Sequence, residues 1–370
     1  MSVRIRLGMV GGGAGSFIGP VHRIASRIDN RFELVAGALA SNEEGALVSG
    51  RAIGLAEDRI YADFRHMAAE EAKRSDGIEA VVIATPNHLH MEPCRHFLEK
   101  GVHVICDKPV TSTLEDALEL EKIIATSGCK FLLTHNYSGY PMVREARRLV
   151  QSGALGDIRL INMEYIQGWL AGEVCNKQAE WRLDPERSGR GGCVADIGTH
   201  AYHLGCYVTG SRAAELSADL HTFGEGRQLD DNAHIKLRFE NGAKGLLWAS
   251  QVAIGYENGI RLRVVGDKAG LEFFQEDPNK LWFTRVGEAK QMLTTGGPGF
   301  EGTIRVPAGH PEGFFEAFAN LYDGFADILQ GKTGDPAGLP GIESGIEGLK
   351  FITAAVNSSQ ANGAWQALRE

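Results

Sequence analysis

The chain has 370 residues, of which 38 are Lys or Arg and 47 are Asp or Glu, so its formal net charge is −9. This acidic balance argues against a general nucleic-acid-binding protein, which needs a basic surface, and no apolar run approaches the ~18 residues of a membrane span. Hydrophobic residues make up 43% of the chain, which argues against disorder, and the length suggests two domains. The six cysteines form no C-x-x-C pair, so we expect a reduced, cytoplasmic protein.

The first third of the sequence alternates short apolar strands with helical patterns. The predicted strands are 5–10, 32–39, 78–84, 102–106 and 130–134, and the predicted helices are 20–29, 43–54, 63–74, 88–100 and 113–127. Ser112 and Glu115 stand at capping-box spacing before the last of these helices. Unbroken apolar strands separated by helices predict a doubly wound parallel sheet, so residues 1–137 are predicted to form an α/β Rossmann domain.

The pattern changes after residue 137. We predict a helix at 140–152, a strand at 158–167, a glycine-rich loop at 188–192 and a helix at 195–208. Six strands then follow one another, at 214–223, 232–239, 243–252, 260–266, 269–274 and 280–285, before a loop at 287–309 and helices at 312–330 and 342–361. Strands that follow strands predict an α+β domain over residues 138–370, with a largely antiparallel open sheet.

A glycine cluster follows the first predicted strand. Gly11, Gly13 and Gly19 allow a tight turn and a close approach of the backbone to a pyrophosphate, although Ser16 breaks the strict G-x-G-x-x-G spacing. The second strand ends near Ser41, where an acid would hold the ribose 2′-hydroxyl of NAD. Ser41 accommodates either a 2′-hydroxyl or a 2′-phosphate, so the sequence leaves NAD and NADP both open.

Two further loops are predicted to lie beside the glycine cluster, at the carboxyl ends of neighbouring parallel strands. One is Thr85–His90, which contains polar side chains and a proline. The other is Asp107–Pro109, which places a lysine directly at a strand end. Ligands of doubly wound sheets bind at this edge, so the three loops together predict a dinucleotide site.

The helix predicted at 195–208 carries a polar stripe of Asp196, His200, His203 and Tyr207 at helical spacing. One interpretation is the solvated face of a core helix. Another is a metal site, but no further ligand completes the set, and no metal is predicted. The third is alcohol oxidation, in which an imidazole removes the hydroxyl proton and a carboxylate one turn earlier orients it.

Four motifs together resemble one family. They are the glycine turn, T-P-N-x-x-H at 85–90, D-K-P at 107–109 and D-x-G-x-H at 196–200. This combination resembles the Gfo/Idh/MocA oxidoreductases, named for glucose–fructose oxidoreductase and inositol dehydrogenase. The family usually has E-K-P where this chain has Asp107, and its glycine turn is shorter. The resemblance implies an NAD(P)-dependent dehydrogenase that acts on a CH–OH carbon of a sugar, sugar derivative or cyclitol.

The resemblance also implies roles for individual residues. His200 is expected to be the acid/base, Asp196 to position the substrate and the imidazole, and Lys108 to polarise the reacting oxygen beside the nicotinamide. Cofactor contacts are expected from Gly11, Gly13, Gly19, Ser41, Thr85, Pro86, Asn87, His90, Asp107, Lys108 and Asn136. Substrate contacts are expected from Lys108, Tyr140, Trp181, Arg182, Asp196, His200 and His203.

The implied partner is a small polyol or sugar, and the implied assembly is a homodimer or homotetramer built on the open sheet of the second domain. Neither a nucleic acid nor a membrane is expected as a partner. Two other functions stay open at this stage. One is NAD-dependent glycoside cleavage through transient oxidation, and the other is a non-catalytic NAD(P)-binding sensor.

Overall fold

The structure is a computed structural model that describes residues 4–172, 189–332 and 338–369. The chain forms two compact units. The first contains the residues up to Asn136 together with Phe314–Ile346, and the second contains Tyr137–Gly313 and Glu347–Glu370. The first unit thus takes in a helix that the sequence analysis assigned to the second domain. Within the described ranges, no helix is long and apolar enough to cross a membrane.

The first unit is built on a five-stranded sheet in which every neighbouring pair is parallel, in the order β2-β1-β3-β4-β5. Its strands are β1 Ile5–Gly11, β2 Phe32–Ala38, β3 Ala80–Ala84, β4 His103–Cys106 and β5 Phe131–Leu133. Its helices between the strands are α1 Ile18–Ile28, α2 Glu43–Ala52, α3 Phe64–Glu71, α4 Met91–Glu99 and α5 Leu114–Ser127. The predicted doubly wound parallel sheet is therefore confirmed. The strand order reverses between β1 and β3, which brings the loops after these two strands together.

The start of α5 differs from the prediction by one residue. Thr113, not Ser112, is the N-cap, and its hydroxyl accepts a hydrogen bond from the N–H of Asp116 at 3.1 Å. Thr113 has the extended backbone that an N-cap requires, with φ −125° and ψ 153°. More than one hydroxyl residue lies close enough to the helix start to be its N-cap, because residues 111, 112 and 113 are all Ser or Thr.

Helix α8, Phe314–Leu329, explains why the chain returns to the first unit. Its apolar face packs on α1, and Phe318 and Tyr322 belong to the same buried cluster as Val21. Nδ1 of the buried His22 lies 2.8 Å from the Tyr322 hydroxyl oxygen. A helix with such a face must bury it against another element, and here that element is α1.

The second unit is built on a nine-stranded sheet in the order β13-β12-β11-β10-β6-β9-β8-β7-β14. Its strands are β6 Ile158–Ile166, β7 Ala213–His221, β8 Asn232–Phe239, β9 Lys244–Ser250, β10 Gly259–Gly266, β11 Ala269–Phe274, β12 Lys280–Arg285, β13 Gln291–Thr294 and β14 Gln366–Ala367. Its helices are α6 Pro141–Gln151, α7 Thr199–Thr209 and α9 Ile342–Gln360, of which α9 begins in the first unit. All pairs are antiparallel except β6 with β9, so the predicted open, largely antiparallel sheet is confirmed.

Burial alternates along the strands of this sheet, as in β8, because one face is covered and the other is open. Helix α7 packs on the covered face against β6. Strand β13 lies within the segment 287–309 that was predicted as a loop, and β14 was not predicted at all. Both are too short, at four and two residues, to show a clear alternation of apolar and polar side chains.

We expect His22 to make the stability of the chain depend on pH. Burial lowers the pKa of His22 to about 4, with a small opposing effect of the Asp107 carboxylate. Between pH 6.5 and pH 4 the unfolded chain therefore binds a proton at His22 that the folded chain does not bind. The stability that this histidine leaves intact above pH 6.5 is lost as the pH falls towards 4. The shift corresponds to about 3 kcal/mol of the free energy of unfolding.

Urea unfolding of the wild type and of His22→Gln between pH 7 and pH 4 tests this expectation. The substitution should remove about 3 kcal/mol of the pH dependence. His66→Gln is the matched control, since the His66 side chain is 66% exposed. If the free energy of unfolding depends on pH equally in the wild type and in His22→Gln, His22 does not cause the pH dependence.

Candidate active site

The glycine turn after β1 is a close contact of backbone with backbone. A Cβ atom at Gly19 would lie 2.1 Å from the Gly12 carbonyl oxygen, and one at Gly13 would lie 2.3 Å from the Leu39 carbonyl oxygen. Gly11 has φ +77°, a conformation that side chains rarely adopt. The turn thus requires glycine at the three positions predicted for the cofactor and packs against the end of β2.

The enlarged turn uses Ser16 to complete the first helical turn of α1. The Ser16 hydroxyl accepts a hydrogen bond from the N–H of Gly19 at 3.1 Å, and the N–H of Ala14 donates to the Ser49 hydroxyl at 3.3 Å. The N-cap residue itself, Phe17, makes no capping hydrogen bond with its side chain. Backbone N–H groups at such a helix start bind an anionic group such as a pyrophosphate.

His90 joins the two other predicted cofactor loops. Its Nε2 lies 2.9 Å from the Thr85 carbonyl oxygen, and its Nδ1 lies 2.8 Å from the Pro109 carbonyl oxygen. His90 is 1% exposed, and burial lowers its pKa against the opposing effect of Asp107. The ring therefore lies between the two carbonyl groups; a neutral imidazole donates to one of them and a protonated imidazole to both, so His90 spans the two loops.

Asp107 is held by the neighbouring strand. The Thr134 hydroxyl, just after β5, donates to Asp107 Oδ1 at 2.8 Å, and the N–H of Asp107 donates to the Ile83 carbonyl at 3.0 Å. Lys108 is the next residue and is half-buried. Asp107 therefore fixes the backbone from which the Lys108 side chain extends.

The first unit fits a dinucleotide on two observations. The glycine turn lets the backbone between β1 and α1 pack closely without side chains, and the Asn136 amide Nδ2 is buried without a hydrogen-bond partner among the described residues. A buried unpaired donor is costly, and a bound carbonyl or hydroxyl would satisfy it. Thr85, Pro86 and Asn87 lie on the loop after β3 at the same sheet edge, while the exposed Ser41 lies after β2.

The helix predicted at 195–208 has two parts. Val194–Gly198 forms a π-helical turn, and α7 begins at Thr199. π-turns inside helices occur frequently at functional sites. This one contains Asp196 and leads directly into His200, and the wider turn breaks the regular α-helical spacing on which the predicted polar stripe depended.

The half-buried Asp230 carboxylate holds the start of the π-turn. Asp230 accepts hydrogen bonds from the N–H groups of Gly192 at 2.6 Å and Val194 at 2.8 Å, and from the Cys193 thiol at 3.1 Å. Burial raises the pKa of Asp230, and these three donors oppose that rise. A second contact reaches Asp196 itself, because Gln251 Nε2 donates to Asp196 Oδ2 at 2.9 Å.

Two tyrosine rings enclose His200, which is 7% exposed. The Tyr137 ring meets the imidazole edge-to-face at 4.9 Å, and the Tyr165 ring lies at 6.0 Å. The two tyrosine hydroxyl oxygens are 2.7 Å apart, and the Tyr165 hydroxyl donates to Asn258 Oδ1 at 2.8 Å. The imidazole thus sits in a packed aromatic setting that limits its rotation.

The polar chain continues from Asn258 towards the end of β6. Gln167 Nε2 donates to Asn258 Oδ1 at 2.9 Å, and Trp169 Nε1 donates to Gln167 Oε1 at 3.1 Å. These residues, like Tyr165 and Gln251, were not singled out from the sequence. Each lies in, directly before or shortly after a strand, but none belongs to a recognisable motif.

The other predicted substrate residues have different settings. Tyr140 is 1% exposed, and its hydroxyl accepts a hydrogen bond from Gln275 Nε2 at 3.0 Å. The His203 ring stacks on Tyr207 at 5.9 Å, and burial, with a contribution from Arg147, lowers the pKa of His203 to about 3. His203 is therefore neutral at physiological pH. The substrate roles of Tyr140 and His203 stay predictions.

Trp181 and Arg182 lie outside the residues that the structure describes. Among the described residues, no group of three or more His, Cys, Asp or Glu side chains is arranged to hold a metal ion.

Comparison with known proteins identifies the family. Residues 5–135 match the oxidoreductase family with an NAD-binding Rossmann fold, and residues 143–272 match the GFO/IDH/MocA C-terminal domain. An oxidoreductase from Sinorhizobium meliloti is 52% identical, with a TM-score of 0.90 over 99% of this chain and 100% of its own.

Two further relatives carry names that describe what they bind or act on. An inositol dehydrogenase homologue from Azotobacter vinelandii, solved with NADH and myo-inositol, is 37% identical, with a TM-score of 0.91 over 99% of this chain and 98% of its own. A levoglucosan dehydrogenase from Pseudarthrobacter phenanthrenivorans is 27% identical over 98% of this chain and 97% of its own. On the two family matches and the whole-length similarity, the chain belongs to the Gfo/Idh/MocA family of NAD-binding oxidoreductases.

Proposed function

We propose that this protein is an NAD(P)-dependent dehydrogenase that transfers a hydride between nicotinamide and a CH–OH carbon of a sugar, sugar derivative or cyclitol. The observation that carries the proposal is the arrangement in the second unit, where Asp196 is held by Gln251 and His200 follows within one turn, enclosed by Tyr137 and Tyr165. Relatives whose names specify inositol and levoglucosan support the substrate class.

Oxidation of a CH–OH carbon removes a hydride and the hydroxyl proton. Bound nicotinamide supplies the hydride chemistry, and the protein supplies placement and charge. His200 takes the hydroxyl proton, which suits an imidazole at neutral pH. Asp196 accepts a hydrogen bond from the substrate or the imidazole and stabilises the imidazolium that forms. In the reductive direction His200 returns the proton to the oxygen.

Lys108 stabilises the negative charge that develops on the reacting oxygen as its proton leaves. Its ammonium group is suited to this task, and the backbone around it is fixed by Asp107 and by the His90 contact with Pro109. The proposal requires that the two units present Lys108 and His200 to one substrate molecule.

NAD is proposed as the preferred cofactor. Gly11, Gly13 and Gly19 would hold its pyrophosphate, and the ribose would lie near Ser41 at the end of β2. Beyond Ser41, the exposed Glu43 and Glu44 begin α2. Two carboxylates at this place repel the 2′-phosphate of NADP, and no Lys or Arg lies between residues 32 and 50 to offset them.

A panel of cyclitols, hexoses and anhydrosugars, scanned for the absorbance of reduced nicotinamide with NAD and with NADP, tests the function. We expect turnover of at least one polyol, with a kcat/KM at least ~10-fold higher for NAD, about the effect of 1.4 kcal/mol. Hydrolysis of a glycoside with no net change in reduced nicotinamide would replace the proposal by transient oxidation. Binding of cofactor with no conversion of any compound would favour a sensor.

Substitution of the two reacting groups tests their roles. His200→Ala and Lys108→Ala should each lower kcat by ~10²-fold or more, while His200→Ala keeps its affinity for NADH. Steady-state kinetics and NADH fluorescence titration measure the two quantities. Glu240→Ala, an exposed site in a turn of the second unit, serves as the control. Near-normal turnover in either active-site variant would remove the assigned role.

The open sheet is proposed to join copies of this chain. Leu246, at the centre of the open face, is 54% exposed, and Leu160 is 47% exposed. Arg263 forms ion pairs with Glu164 and Glu272 on the same face, so charges of both signs lie beside the apolar groups. A face that carries both signs and apolar side chains can complement a second copy of itself.

Light scattering coupled to size-exclusion chromatography measures the assembly. The wild type should have two or four times the mass of one chain, and Leu246→Glu should reduce it because a charge would be buried without a partner. Val286→Glu, at a site 76% exposed in a turn, is the control. A wild-type mass of one chain would contradict the proposed interface.

A reducing, cytoplasmic location is also proposed. Cys94, Cys106, Cys129, Cys193 and Cys206 are all free thiols in the part of the chain that the structure describes. Proteins of oxidising compartments commonly pair their cysteines, so this pattern favours the cytoplasm.

A further inference from the structure

We propose that Gln251 is a positioning residue for Asp196, because it donates a hydrogen bond to one oxygen of that carboxylate. The inference rests on the proposed dehydrogenase function, in which Asp196 orients the acid/base. Gln251 Nε2 donates to Asp196 Oδ2 at 2.9 Å, and Gln251 is 3% exposed. The contact is thus shielded from water, where a hydrogen bond to a carboxylate is strong.

The backbone of Gln251 is fixed on both sides. Gln251 directly follows β9, its N–H donates to the Asp231 carbonyl at 2.9 Å, and its carbonyl accepts from the Leu170 N–H at 2.9 Å. A side chain on such a backbone loses little further freedom when it binds its partner. Gln251 therefore offers Asp196 a donor whose location is set by the sheet.

The backbone of Asp196 is fixed by a separate contact. Asp230, just before β8, holds the N–H groups of Gly192 and Val194, and the Cys193 N–H donates to the Asp230 carbonyl at 2.8 Å. The start of the π-turn is thus held by one strand end and the Asp196 carboxylate by the next. The contact with Gln251 is one restraint on rotation of the Asp196 side chain.

The chemical type of the donor matters. A primary amide holds a carboxylate without cancelling its charge, whereas a lysine or arginine in its place would neutralise it. The negative charge of Asp196 is what stabilises an imidazolium at His200. Donation by the amide also favours the ionised form of the carboxylate, which extends activity to lower pH.

Two substitutions test the inference. Gln251→Met keeps the size but removes the donor, and Gln251→Glu places a second carboxylate beside Asp196. Gln251→Met should lower kcat/KM for the polyol about 10-fold and move the acid limb of its pH profile up by about one pH unit, while the Kd of NADH stays unchanged. Gln251→Glu should move the acid limb further, because like charges disfavour ionisation.

A structural control separates positioning from a loss of stability. Ser358 is 0% exposed, and its hydroxyl accepts from the Ala218 N–H at 2.8 Å and donates to the Ala364 carbonyl at 2.7 Å. Ser358→Ala should lower the thermal stability but leave the pH profile in place. The inference is overturned if the pH profile of Gln251→Met coincides with that of the wild type. It is also overturned if Ser358→Ala shifts the pH profile to the same position as Gln251→Met, because a loss of stability would then explain the shift.

A crystal structure of Gln251→Met distinguishes this inference from the function on which it rests. If the wild type oxidises no polyol with either cofactor, the proposed function fails. The orientation of the Asp196 carboxylate in the variant then still tests whether Gln251 positions it. A carboxylate rotated away from its wild-type orientation supports the positioning role. An Asp196 carboxylate that keeps its orientation without the amide overturns it.

Discussion

The hydrogen bonds of the half-buried Asp230 carboxylate are the contacts on which the site in the second unit depends. They satisfy two N–H groups and a thiol at the start of the π-turn, and in return the carboxylate loses part of its hydration. Because this anchor comes from the segment before β8, the turn cannot shift without disturbing the sheet. Asp196 and His200 therefore take their places from a strand end that is more than 30 residues away in the chain, rather than from the local helix alone.

In the first unit, several loops must meet at one edge of the sheet without filling the space that a nucleotide needs. Parallel strands direct three loops to the same edge, and glycine keeps the turn after β1 free of side chains. His90 then spans the other two loops through backbone carbonyls. Helix α1, which follows the turn, is held to α8 by the buried contact between His22 and Tyr322. In the proposed function, the first unit uses backbone geometry for the cofactor and the second unit uses a side-chain network for proton transfer.

Local patterns predicted much of this from the sequence. The parallel sheet and the open antiparallel sheet follow from apolar runs and turns, whereas the roles of Lys108, Asp196 and His200 come from the family resemblance and stay predictions. The return of α8 to α1 could not, because an apolar helix face does not identify its partner. The π-turn was also missed, since the residues 194–198 fit an α-helical pattern equally well. Gln251 and Tyr165 contact the site only through tertiary packing, so no spacing in the chain indicates them.

The central proposal is that the His200 imidazole and the Lys108 ammonium group both act on one substrate oxygen. The crystal structure of the wild type with NADH and a polyol that it turns over tests this most directly. The account predicts a carbinol oxygen at about 3 Å from both the His200 ring and Lys108 Nζ, with the Asp196 carboxylate beside the imidazole. A bound polyol that contacts only one of these two side chains, or neither, would contradict the account.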